Sequence, residues 1–264
     1  MASKVKTSAF AGERIAKVIA RAGVCSRRDA ERLIAEGRVL LNDKIVASAA
    51  VNVVDSDAII VDGKPLARGE KTRLWRYHKP EGLVVSHKDP KKRVTVFDAL
   101  RSRLPRVLSI GRLDIGTEGL LLLTNDGELA RLLELPASGW IRRYRVRGFG
   151  KPSAEALSRL KDGVTIEGIH YGPIEAALDK VQGSNSWLTF AIREGKNREV
   201  KRVCEHLGLK VNRLIRTSFG PFELGNLPRG EIEEVPTRMV EALTGKAPRR
   251  ETAHADRRRK AQGA

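Results

Sequence analysis

Four consecutive leucines, Leu120–Leu123, constrain this chain more than any other feature. The run is too short for a buried helix and is bounded by polar turn residues, so it reads as a buried strand. It is led in by a charged loop, GRLDIGTEG, with Arg112 and Asp114 one leucine apart and glycines at 111, 116 and 119. Two explanations fit such a lead-in. Asp114 is an ordinary Asx-turn residue, or the loop holds a carboxylate at the lip of a cleft. Residue patterning alone leaves both open.

At 264 residues the chain exceeds the usual single-domain length, so one large or two unequal domains are expected. Cys25 and Cys204 are the only cysteines and form no CxxC pair. That argues against a disulfide framework and a cysteine-rich zinc site, and fits a reducing cytosol. No apolar stretch approaches a membrane span, and MASKVKTSAFAGERI lacks the apolar centre of a signal peptide. A soluble, cytoplasmic monomer with no membrane partner is expected. Charge says more. Fifty Lys+Arg stand against thirty-two Asp+Glu, a net of +18. Residues 1–70 contribute +3, residues 71–245 contribute +10 and residues 246–264 contribute +5. An excess spread through the folded body points to a polyanion, nucleic acid first. A solvated basic surface is the plain alternative.

Residues 13–46, ERIAKVIARAGVCSRRDAERLIAEGRVLLNDKIV, predict two helices and a hairpin. Ile15, Val18, Ile19 and Ala22 share one helix face, and Gly23 supplies a left-handed stop. Ser26 and Asp29 have capping-box spacing before a second helix with Ala30, Leu33 and Ile34 on its buried face. Strand-like 39–41, a turn at Asn42-Asp43 and strand-like 44–46 follow, and a strand 59–61 meets the turn dipeptide Asp62-Gly63. Arg14, Lys17 and Arg21 line one side of the first helix; Arg27, Arg28 and Arg32 cluster on the second. Two solvated helix faces would explain these charges. The pattern ARAG, SRRDAERLI, GRV and VDG nevertheless resembles the S4 RNA-binding domain. The resemblance covers residues 11–66 and implies that those six basic residues contact structured RNA.

Within DGKPLARGEKT, residues 67–72 read as a linker. A second domain, 73–245, alternates large apolar and charged residues, which suggests strands through much of 73–235. Helices are expected at 127–135, 153–161 and 197–207, the last capped by Asn197. His78 reads as a strand residue. From about Lys246 to residue 264 almost nothing can be buried, and a disordered basic tail is expected. HExxH, GxSxG, P-loop and GxGxxG motifs are absent, as are metal-ligand spacings. Any chemistry must rest on carboxylate, basic and aromatic groups.

GRLDIGTEGLLLLTNDG is close to a signature of the pseudouridine synthases. KPEGLVVS (79–86), REGKNREVKRV (193–203) and RLIRTSFGPFELGNLPRGEIEEV (213–235) resemble further motifs of the same family, in family order. The likeness is to the branch holding the small-subunit synthase A and the large-subunit synthases B, E and F, and most to the B type. It implies an α+β protein: an N-terminal S4-like module, then a mixed, mainly antiparallel β-sheet catalytic domain whose cleft crosses the sheet with Asp114 at its floor. The implied reaction is isomerisation of uridine to pseudouridine in ribosomal RNA, 23S in preference to 16S, with no cofactor and no metal. By the same resemblance Asp114 acts at the ribose, either attacking C1′ or removing the C2′ proton. Lys201 keeps it ionised, and Tyr144, in RRYRVRG, lies against the uracil. Leu214 lies under the base, Arg112 contacts the flipped nucleotide or braces its loop, and Arg198 and Arg202 contact phosphate. Two other classes fit the charge: a non-catalytic S4-type ribosome-assembly factor, and a DNA-binding protein, for which no recognition-helix pattern is visible.

Overall fold

The computed structural model describes residues 12–67, 70–135 and 138–244. The tail expected at 246–264 and residue 11 of the N-terminal module lie outside them. The N-terminal unit runs β1 (Glu13–Arg14), α1 (Ile15–Arg21), α2 (Arg27–Ala35), β2 (Val39–Leu41), β3 (Lys44–Ile45), β4 (Asn52–Val53), β5 (Ile59–Val61) and β6 (Lys64–Pro65). Gly23 ends the first helix region at φ +82°. The Ser26 hydroxyl accepts from the Asp29 N–H at 3.1 Å and donates to the Asp29 carboxylate, so the expected capping pair forms through the side chains. Asn42 and Asp43 both take positive φ, as the two-residue β2–β3 turn requires. Both helices bury one face against a sheet of order β3-β2-β5-β6, around Ile15, Ile19, Leu33, Ile34 and Val39. Residues 64–65 pair with β5 and so belong to this unit.

Arg14 precedes α1 instead of lying on it, because the chain there is still extended and paired with β4. Its guanidinium donates to the Ala50 carbonyl. Lys17 is bonded to Glu13 and to Glu128 of the second unit, and Arg21 pairs with Glu13. The basic side expected on the first helix is therefore largely occupied by internal contacts. Arg32 pairs with Asp29 and Glu36, while Arg27 and Arg28 are exposed and make no ion pair among the described residues.

The second unit is a mixed, mainly antiparallel sheet. Its elements are β7 (Leu74–Lys79), α3 (Val96–Leu100), β8 (Leu108–Ile110), β9 (Glu118–Thr124), α4 (Gly127–Glu134), β10 (Arg142–Phe149), α5 (Ala154–Arg159), β11 (Val164–Ile166), β12 (Ile169–Tyr171), β13 (Glu175–Gln182), β14 (Asn185–Ile192), α6 (Glu199–His206), β15 (Lys210–Phe219), β16 (Phe222–Glu223), β17 (Ile232–Glu234) and α7 (Thr237–Thr244). The main path is β13-β14-β10-β15-β9-β7-β17, and β9–β15 is its parallel pairing. The leucine run is explained by β9, all seven of whose residues are buried. Successive strand side chains point to opposite faces. Leu121 and Leu123 enter a core with α3, α5 and α6, and Leu120 and Leu122 enter a second core with α4 and α7. A strand between two apolar layers has no polar face to alternate with.

Gly119 sits where β9 meets β15, at φ +105°, and a Cβ there would lie 2.4 Å from the Arg216 carbonyl oxygen. Only glycine permits that approach. The helices at 127–135, 153–161 and 197–207 are present with shorter bounds, and α3 and α7 are two further short helices. Asn197 does not cap α6. Arg198 does, at φ +53°, and Glu199 instead accepts from the Lys196 N–H at 2.9 Å. Among the described residues no helix is long and apolar enough to cross a membrane.

Candidate active site

The loop between β8 and β9, residues 111–117, crosses the end of the sheet on the side of α6. A buried cation holds it in shape. Lys79, at the last position of β7, is fully buried, and its ammonium donates to the carbonyls of Pro80 and Thr117 at 2.9 Å, of Asp114 at 3.3 Å and of Ile115 at 3.5 Å. Burial pulls the Lys79 pKa down to about 8, against the opposing pull of Glu81 and Asp114. The Gly82 N–H also bonds the Ile115 carbonyl at 2.8 Å, and Thr117 N–H closes a turn on the Asp114 carbonyl at 3.0 Å. The KPEG segment thus fastens the backbone of the GRLDIG loop and leaves the Asp114 carboxylate free to face outward.

That carboxylate meets two cations from α6 and its N-cap. Lys201 Nζ lies 3.6 Å from Asp114 Oδ2, and Arg198 Nη1 lies 3.9 Å from the same atom. The lysine side chain is only 13 % exposed, against 34 % for Asp114 and 45 % for Arg198. Its ammonium packs beside Gly116, where a Cβ would stand 3.7 Å away. The left-handed backbone of Arg198 is uncommon for a residue with a side chain, and it starts the helix that carries Lys201.

These groups line a cleft of about 780 Å³ that also takes in Arg112, Tyr144, Leu214, Arg142 and Arg216. Tyr144 and Leu214 are buried on the neighbouring strands β10 and β15 and form part of its wall. Arg112 is exposed at the rim. Arg202 does not line this cleft; it is turned to Glu167 at 3.7 Å. A second hollow, about 600 Å³, lies on the other side of Arg198 and Lys201 and is bordered by Glu81, Lys210 and Arg213. Asp114 itself stands on the loop lining the cleft, and the walls beneath are the apolar residues Leu113, Ile192 and Leu214.

Several groups that shape this cleft escaped the sequence reading. Lys79 lies in a motif noted for other reasons, and its signal is a lysine ending the apolar strand LWRYHK. Glu199 is buried, one carboxylate oxygen has no hydrogen-bond partner among the described residues, and burial pushes its pKa up to about 7 despite the Lys196 N–H. Arg142 and Arg216 are buried with guanidiniums 4.7 and 5.3 Å from the Phe219 ring centroid. Arg216 also donates to the Leu120 carbonyl at 2.7 Å. At the start of β9, buried Glu118 binds both Arg213 and Arg229. Burial opposes ionisation of Glu118, but the two guanidiniums outweigh it and lower its pKa.

The sequence pattern of the family described as RNA pseudouridylate synthase matches residues 73–206, and that of the S4 domain matches residues 13–59. The chain belongs to the RNA pseudouridine synthases, with an S4 domain preceding the synthase domain. It is 50 % identical over 227 residues to a Rickettsia bellii protein named as an uncharacterized RNA pseudouridine synthase, covering 86 % of this chain and 98 % of that one. It is also 44 % identical over 241 residues to the ribosomal large subunit pseudouridine synthase B of Pseudomonas aeruginosa, covering 88 % of this chain and 62 % of that one. A solved structure described as a pseudouridylate synthase superposes with a TM-score of 0.59 at 28 % identity, covering 88 % of this chain and 99 % of that chain.

Proposed function

We propose that this enzyme isomerises one uridine of 23S ribosomal RNA, with Asp114, Tyr144 and Lys201 as its catalytic residues. One observation carries the assignment of roles: the Asp114 carboxylate, on a loop fastened by Lys79, lies within 4 Å of two cations at a cleft walled by Tyr144 and Leu214. The reaction needs a carboxylate at the ribose, and this one is held between two cations at the mouth of the cleft. The N1–C1′ bond of uridine breaks, the uracil turns, C5 bonds to C1′, and the C5 proton is exchanged for one at N1. No electron or group donor enters the balance. Asp114 serves either by attack on C1′ or by removing the C2′ proton; the same carboxylate suits both routes. Tyr144 lies against the base and takes part in moving the C5 proton. Leu214 supports the base from below, and Arg112 and Arg198 hold its phosphates. A flipped base needs such a pocket, since its reacting atoms are out of reach in a stack.

In this reading residues 11–66 anchor RNA and residues 67–72 link them to the catalytic domain, 73–245. The basic tail, 246–264, adds phosphate affinity without choosing a site. The protein acts as a cytoplasmic monomer. The 23S assignment draws support from the relatives named large subunit synthase B, from Pseudomonas aeruginosa and Pasteurella multocida. The test is to incubate the pure protein with protein-free 23S and 16S transcripts and map the products. One new pseudouridine in 23S is expected. Modification confined to 16S would overturn the choice of RNA and leave the enzyme class standing.

A further inference from the structure

Strand β10 carries two chemistries on its two faces. Tyr144 and Val146 point into the core on the side of the catalytic cleft, so the residues between them, Arg143, Arg145 and Arg147, point to the opposite face of the sheet. The second core, under α4 and α7, includes no residue of β10, β13 or β14. This end of the sheet is left open: Arg143 and Arg145 are exposed, and Phe149 at the strand end is 55 % exposed. On β14, Thr189 stands opposite Arg145 and Trp187 opposite Arg147. The Arg145 guanidinium lies over the Trp187 ring, 4.7 Å from its centroid.

The charges on this face are weakly compensated. Arg145 has Asp179 only at 3.9 Å, and Arg143 and Arg147 have no carboxylate within 4.0 Å among the described residues. Alternate residues of a strand are about 7 Å apart, so the backbone positions of the three arginines span roughly 14 Å. Two arginines without an ion pair among the described residues, Arg143 and Arg147, flank Arg145, whose guanidinium covers the Trp187 indole, and an exposed phenyl ring ends the row. This suits a strand of RNA, since guanidiniums bind successive phosphates and bases stack on rings and on guanidinium planes. Asp179 and Glu175 also border this face, so its basic character rests on the three arginines of β10, beside which Phe149 stays bare.

We infer that the outer face of β10 and β14 is a second RNA-binding surface, separate from both the catalytic cleft and the S4 domain, gripping RNA beyond the target nucleotide. The choice of RNA as occupant rests on the proposed function. The row contributes affinity and salt dependence, and it leaves the chemical step untouched because none of its side chains enters the cleft.

The test uses the full chain with the ribosomal RNA transcript described above. The triple variant Arg143→Gln, Arg145→Gln, Arg147→Gln is compared with wild type and with the triple Lys variant. In the Gln variant the Kd should rise at least about tenfold at physiological salt, and the slope of log Kobs against log salt should become less negative by about 2. Its single-turnover rate at saturating RNA should stay within about twofold of wild type. The Lys variant should recover most of the salt slope, since a point charge still meets phosphate. An unchanged Kd and slope in the Gln variant would overturn the inference. So would an equal loss in both variants, which would mean damage to the sheet. Wild-type protein that binds RNA through this row without forming pseudouridine would remove the functional proposal and keep the surface.

Discussion

The Lys201 ammonium lies 3.6 Å from the Asp114 carboxylate, and the two side chains come from a helix and a loop that are far apart in sequence and brought together by the packing of β9, β15 and α6. The carboxylate is a third exposed and the ammonium is nearly buried, so the ion pair closes one side of the cleft and leaves an oxygen facing it.

Asp114→Asn should abolish pseudouridine formation and leave RNA affinity nearly intact, because the amide keeps the shape and loses the nucleophile and base. Single-turnover rates and filter-binding constants check this. A residual rate above about 1 % of wild type contradicts the role given to Asp114.

Two cations serve Asp114, and they are not equivalent. Lys201→Met should lower the rate about 100-fold or more, while Lys201→Arg should keep it within about tenfold, since the charge stays near the carboxylate. Arg198→Gln should cost less in rate and more in RNA affinity, the side chain being more exposed. Equal rates for all four proteins would reduce Lys201 to a packing residue.

Lys79→Met should loosen the loop that carries Asp114. The carbonyls of Pro80 and Thr117 lose their buried donor, at a cost of about 2–3 kcal/mol in stability and a large fall in rate. Denaturant melts and single-turnover kinetics measure the two effects. Wild-type stability in this variant would mean that water replaces the ammonium without penalty.

Glu199 makes stability depend on pH. Burial holds its folded pKa at about 7, above the 4.5 of an ordinary glutamate. The folded state therefore keeps its proton where the unfolded state loses it, and stability falls as pH rises from about 4.5 to about 7. The full loss is roughly 3 kcal/mol at 1.36 kcal/mol per pKa unit. Glu199→Gln should flatten this part of the profile and be the more stable protein at pH 7.5, as thermal melts from pH 5 to 8 would register. Parallel profiles for the two proteins would locate the pH dependence elsewhere.

On the S4 domain, Arg27 and Arg28 are the exposed arginines of α2 without an ion pair among the described residues. Changing both to Gln should make the salt slope of RNA binding less negative by about 1.5, whereas Arg21→Gln should change it little because Glu13 already neutralises it. A larger effect at Arg21 would reverse that ranking.

Much of this protein was legible in its residues because the signals are local. The helix faces of α1 and α2, the Ser26–Asp29 cap, the left-handed turn residues and the apolar run of β9 are each written in residues within a few positions of one another. The candidate residues Asp114, Tyr144 and Lys201 were found through short motifs, which carry residue type and order but no distances. Packing alone decided the rest. The parallel register of β9 and β15, which needs glycine at 119, joins segments separated by most of the catalytic domain. That pairing brings the Asp114 loop against α6, gives β9 an apolar layer on each side, and sends Arg202 to Glu167 instead of the cleft. It also buries Lys79 beneath the loop carbonyls and Glu199 beside the cleft; the charged neighbours of Glu199 look like those of any surface position. Periodicity says which way a side chain points from its own strand or helix; what it meets there is set by long-range pairing, to which a local pattern is blind.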